Sequence, residues 1–183
     1  MDIIKDISEN KFLLVLLPES QYEEKLVEIV KGVSQKHTKV CYVCLSKPYA
    51  DVLEYLNKLE LKAENFFFID VLTSHYKKPK NADNCIFLQD PNKLIALQAA
   101  INKAIVSQNC NAVIFDTFSS LLVYEQSDDI IKFTHQFTME QKHQDVNKIF
   151  IVIKGNSELK EYYDSFVKDI SMFAQRTVEV VDK

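Results

Sequence analysis

Glycine is what this sequence lacks most. Two glycines, Gly32 and Gly155, stand among 183 residues, where average usage of about 7% would supply about 13. Glycine lets backbone approach a phosphate closely, and this chain has almost none to place. Long apolar runs are missing too. No stretch approaches the roughly 20 residues needed to span a bilayer, and Met1–Asn10 has no basic segment leading into an apolar one. Excess positive charge is absent: 22 lysines and arginines face 26 carboxylates, for a net charge of -4 and a pI near 5.6. Such a chain has no general electrostatic pull toward nucleic acid or an anionic membrane. Cys41, Cys44, Cys85 and Cys110 lie in or beside apolar runs, where reduced thiols behave as small hydrophobes. The expectation is a cytoplasmic protein that binds neither membrane nor nucleic acid.

What is present is a regular alternation of short apolar runs and amphipathic stretches. Lys11–Leu17, Lys39–Leu45, Asn65–Leu72, Cys85–Leu88, Asn111–Phe115, Lys148–Ile153 and Thr177–Val181 read as strands. Between them, Gln21–Lys36, Tyr49–Leu61, a stretch starting at Asp90-Pro91-Asn92 and reaching about Gln108, Ser127–Lys142 and Ser157–Ala174 read as helices. Ser127 is expected to cap its helix, with Asp128 and Asp129 in the first turn. The strands are continuous apolar runs, the pattern of a parallel sheet covered on both faces. The fold expected is α/β, a three-layer sandwich with a mostly parallel central sheet and helices on both faces. It forms one domain over 1–183, with 1–10 as an N-terminal segment given no element. There is no internal repeat, linker or low-complexity tract.

The ordered set of segments resembles the KaiC-like branch of the RecA superfamily. The strand Leu13–Leu17 precedes the first helix, Phe66–Asp70 opens FFFIDVLTS, and Val113–Leu122 reads VIFDTFSSLL, similar to that family's Walker B segment. The resemblance runs from about Lys11 to Ile153 and implies a RecA/KaiC-like P-loop fold. It also exposes departures. A Walker A loop uses glycine N–H groups and a Lys-Ser/Thr pair to hold phosphate and magnesium. Here the matching stretch is Leu17-Pro18-Glu19-Ser20-Gln21-Tyr22-Glu23-Glu24-Lys25, without glycine, with three glutamates, and with Leu26 after the lysine. After the second strand, where the family carries a glutamate that orients water, this chain has Ser46-Lys47-Pro48. The resemblance therefore implies a P-loop fold with a degenerate Walker A, a pseudo-ATPase with no catalytic residue.

If a nucleotide or small ligand binds, the candidate residues are Asp116, Thr117, Ser119, Ser120, Ser20, Lys25 and Asp70, at or near the carboxyl ends of strands, where open α/β sheets build their sites. Asp116 would be the magnesium ligand if there is one. The competing reading is that Asp116 caps the turn Thr117–Ser120 through local hydrogen bonds. Strand ends also carry Glu19, Ser46, Lys47, Thr73, Lys154 and Ser157, and loops in water are polar in any case. Cys41 and Cys44 have C-x-x-C spacing, but on a strand residues three apart point to opposite faces. His37, His75, His135 and His143 show no metal-binding spacing. The run His75-Tyr76-Lys77-Lys78-Pro79-Lys80 is the one basic cluster.

The functional expectation is a regulatory or scaffolding protein-interaction module, with a protein partner and a homo-oligomer both in view and no cofactor expected, ATP and magnesium included. The alternative is a nucleotide or small-ligand binder that keeps Asp116 without hydrolysis. An α/β enzyme of another class lacks a visible nucleophile–base pair. A receiver-type signalling domain finds only a faint echo in Glu19 and Lys154.

Overall fold

The computed structural model describes residues 3–89, 94–154 and 160–181. In chain order the elements are α1 (Ile3–Glu9), β1 (Phe12–Pro18), α2 (Tyr22–Lys36), β2 (Val40–Cys44), α3 (Tyr49–Lys58), β3 (Phe66–Asp70), α4 (Thr73–Tyr76), β4 (Cys85–Phe87), α5 (Leu94–Ser107), β5 (Ala112–Phe115), α6 (Ser127–Met139), β6 (Asn147–Lys154), α7 (Lys160–Ser171) and β7 (Arg176–Glu179). Short 3₁₀ turns follow β1 at Glu19–Gln21 and β5 at Phe118–Val123.

Among the described residues, seven strands form one parallel sheet in the order β4-β3-β2-β5-β6-β1-β7. Side chains alternate between its faces with period two. Leu14, Leu16, Cys41, Val43, Phe67, Val113, Phe115 and Phe150 pack with α5, α6 and α7. Leu13, Val15, Leu17, Tyr42, Cys44, Phe68, Ile114 and Ile149 pack with α1, α2 and α3. Burial on both faces is why these strands read as unbroken apolar runs. Cys41 and Cys44 fall in different face clusters, so they cannot share an ion.

The structure corrects the sequence reading in places. Residues 3–9 form a helix, docked through Ile3 and Ile7. It lies so close to α2 that a Cβ on Gly32 would sit 3.2 Å from Ile4 Cγ1. Seven residues are too few for helical periodicity to stand out. Ser127 is the first residue of α6 rather than its cap; Gln126 is the N-cap, with no side-chain capping bond. The expected helix start at Asp90-Pro91-Asn92, and Ser157, lie outside the described residues.

With glycine scarce, ordinary residues take the left-handed positions. Glu60 has φ 59° and Asn109 has φ 55°. Glu60 closes α3 in a Schellman turn: its N–H donates to the Asn57 carbonyl at 3.0 Å, and Leu61 N–H donates to Leu56 at 3.0 Å.

Candidate functional site

All strands run the same way, so the carboxyl ends of β1, β2, β3, β5 and β6 share one edge of the sheet. Asp116 directly follows β5 and is fully buried. Its carboxylate faces the end of the neighbouring β2. Oδ1 accepts the Leu45 N–H at 2.8 Å and the Ser46 N–H at 3.2 Å, while Oδ2 accepts the Ser46 hydroxyl at 2.7 Å. Besides the Thr117 N–H of its own turn, Asp116 thus takes its partners from across the sheet, adding to the local cap expected on Thr117–Ser120. That turn is closed by the Ser120 N–H donating to the Thr117 carbonyl at 2.9 Å.

A chain of hydroxyls extends from this carboxylate. Thr117 Oγ1 donates to Tyr22 OH at 3.1 Å, and Tyr22 OH lies 3.1 Å from Ser46 Oγ. Ser46 gives its one proton to Asp116, so Tyr22 must donate to Ser46. The order Thr117, Tyr22, Ser46, Asp116 satisfies every hydroxyl in it. Burial pushes the Asp116 carboxyl up from its ordinary 3.8 to about 6, against the lowering effect of the bonds from Ser46, Leu45 and Thr117. Burial, and then the charge of Asp116, hold the Tyr22 phenol protonated well above its ordinary range.

Asp70, at the end of β3, is the second fully buried carboxylate on this edge. Oδ1 accepts the N–H groups of Leu72 and Thr73 at 2.7 and 2.8 Å. Oδ2 accepts the Tyr49 N–H at 2.7 Å and the Thr73 hydroxyl at 2.6 Å. Pro48, the N-cap of α3, makes no side-chain capping bond. Asp70 reaches across from the adjacent strand to satisfy the first N–H of α3 and places negative charge at its positive end.

The other candidates do not converge on Asp116. Ser20 is exposed on the turn after β1. Lys25 is held by Glu28 on its own helix at 2.7 Å, which raises its pKa. Ser119 Oγ accepts a long 3.4 Å bond from the Ile153 N–H, tying the turn after β5 to β6. Lys47 pairs with Glu23 at 2.6 Å, so a carboxylate at the start of α2 already holds this cation. Lys154 pairs with Glu179 of β7. Tyr22 was the residue the sequence reading missed. Its signal was its place directly after a strand and its turn, at the start of a helix.

No known protein-family profile matches the chain, and no curated protein matches it in sequence. Solved structures do match in shape. A KaiC-like protein from Pyrococcus horikoshii is 12% identical, with a TM-score of 0.62 over 95% of this chain and 75% of that one. An uncharacterized protein from the same organism, solved in complex with an unknown peptide, is 11% identical with a TM-score of 0.71 over 96% and 79%. The flagellar accessory protein FlaH from Methanocaldococcus jannaschii is 16% identical with a TM-score of 0.60 over 98% and 76%. The fold is that of KaiC/RecA-like domains. Among the described residues, no helix is long and apolar enough to cross a membrane.

Proposed function

We propose that this KaiC/RecA-like domain does not hydrolyse nucleotide and works by contact with other protein chains, as a regulatory or scaffolding module. The observation that carries the reading is the engagement of Asp116. Its carboxylate is fully buried and bound by Leu45 and Ser46 at 2.7 to 2.8 Å. A magnesium ion would have to break those bonds to reach a carboxylate that is itself fully buried. The turn after β1 supports the same reading. It has no glycine to bring N–H groups onto a phosphate, and Glu19, Glu23 and Glu24 put like charge where a phosphate would lie. The relative bound to a peptide lends support to the protein-contact half of the reading, and self-association is one form that contact would take.

The test is calorimetric titration of the purified chain with Mg-ATP and Mg-ADP. No binding up to millimolar nucleotide is expected, and size-exclusion light scattering should report an assembly or a partner complex unchanged by nucleotide. Saturable binding that disappears in Asp116→Asn would instead establish the alternative, a nucleotide binder that retains this aspartate without hydrolysis. The asparagine keeps an acceptor for Leu45, so loss of binding would not simply report loss of folding.

A further inference from the structure

The opposite pole of the sheet, where the strands begin, carries a second kind of site. A cavity of about 370 Å³ lies between the ends of α6 and α7 and the starts of β1 and β6. Phe12, Met139, Met172 and Phe173 give it apolar walls. Met139 and Met172 remain 67% and 70% exposed, unusual for large apolar side chains sharing one concavity.

Two lysines line the same cavity, Lys11 and Lys148. Lys148 is only 3% exposed. Its ammonium donates to the carbonyls of His143 and Val146 at 2.6 and 3.1 Å and lies 5.6 Å from the centre of the Phe137 ring. Lys11 donates to the Asp145 carbonyl at 2.9 Å. Among the described residues, neither lysine makes an ion pair with a carboxylate. An ammonium has three donors; carbonyls take two from Lys148 and one from Lys11. Neutral carbonyls satisfy donors but leave net charge, and a buried cation without a counter-ion is costly. Burial, followed by the charge of Lys11, pushes Lys148 down to about 8, the direction expected of an uncompensated pair.

We propose that this cavity binds a small amphiphilic anion, a carboxylate with an apolar tail, whose head lies between Lys11 and Lys148 and whose tail packs on Met139, Met172, Phe12 and Phe173. Charge complementarity selects the head: the described lining residues include two cations and no acid. The walls select the tail, and methionine adapts its shape to unbranched chains. The volume is near the lower end of the roughly 300–1,000 Å³ typical of small-molecule sites. The occupant is therefore a fatty-acid-like molecule rather than a polymer. The site is remote from Asp116, so its test and the nucleotide titration succeed or fail independently.

The probe is decanoate, titrated calorimetrically into the full chain beside decanol and acetate, which carry the tail and the head alone. Saturable binding of decanoate is expected, with decanol and acetate each at least about tenfold weaker, because a charge-assisted hydrogen bond and a buried chain each contribute that much or more. Lys148→Met should weaken decanoate about tenfold or more. Since a buried variant can fail to fold, exposed Lys11→Gln and Met172→Ser are measured too, with folding checked by circular dichroism, and each should weaken binding severalfold. Absence of saturable decanoate binding, equal binding of decanol, or full affinity in folded Lys11→Gln would overturn the proposal. So would preferential binding of a peptide ending in a free apolar carboxylate, which would assign the cavity to a protein terminus.

Discussion

Ser46 donates its hydroxyl proton to Asp116 at 2.7 Å across two neighbouring strand ends, 70 residues apart in the chain. The bond fixes the direction of the whole hydroxyl series, because Ser46 can then only accept from Tyr22.

Ser46→Ala should therefore reach beyond one bond. It strips a donor from a buried carboxylate and leaves Tyr22 OH without an acceptor, at an expected cost of about 1–3 kcal/mol. The Ser46 bond is also the first of the interactions holding the Asp116 pKa down, so the variant should raise it further. Urea denaturation at pH 7 measures the first effect, and a loss within about 0.3 kcal/mol of zero would mean that water replaces the hydroxyl.

The pH dependence of stability carries a definite sign. The Asp116 carboxyl is pushed up in the folded state to about 6 from an ordinary 3.8, so the folded state binds the proton more tightly. The resulting stabilisation is full below about pH 4 and is lost as pH rises through about 6, amounting to about 3 kcal/mol across that window. Relative to Asp116→Asn, which does not titrate, the wild type should thus lose stability between pH 4 and 7. Matched denaturation curves read this directly; a difference that grows in favour of the wild type would mean that the bonds from Leu45 and Ser46 outweigh burial.

Asp70→Ala should be among the most damaging single changes on this edge. It removes both carboxylate oxygens from four donors, three of them backbone N–H groups of Tyr49, Leu72 and Thr73. A loss of more than about 3 kcal/mol is expected. Hydrogen exchange should show faster opening at the start of α3 and at α4, and unchanged protection there would contradict the capping role.

Glu60→Gly should stabilise the protein. Glu60 sits at φ 59° in the turn that ends α3, a conformation that penalises a Cβ and suits glycine. The relief should exceed the entropy that glycine loses on folding, for a net gain of about 0.5–1 kcal/mol. A raised thermal midpoint checks it.

Much of the architecture was legible because the strands announce themselves. Lys39–Leu45 and Lys148–Ile153 are apolar at nearly every position, the mark of a sheet buried on both faces, and the intervening stretches carry helical spacing. Helix ends were less legible. α3 has no cap in its own sequence because Asp70 supplies it from another strand, and Ser127 looked like a cap but begins its helix. At the candidate site, Asp116 and Thr117 stood out through their place after an apolar run, whereas Tyr22 did not, because only the parallel alignment of β1, β2 and β5 brings their ends to one edge.

By itself the sequence determined the layering and the absence of glycine from the turn after β1, since both depend on local matters: which residues are apolar, at what period, and whether glycine is there to free the backbone. Tertiary structure alone decided what Asp116 and Asp70 hold and why Lys148, among the described residues, is left without a counter-charge. A carboxylate or an ammonium takes its role from whichever groups the fold brings within hydrogen-bond reach and from the water it excludes, and neither is written in the order of the residues.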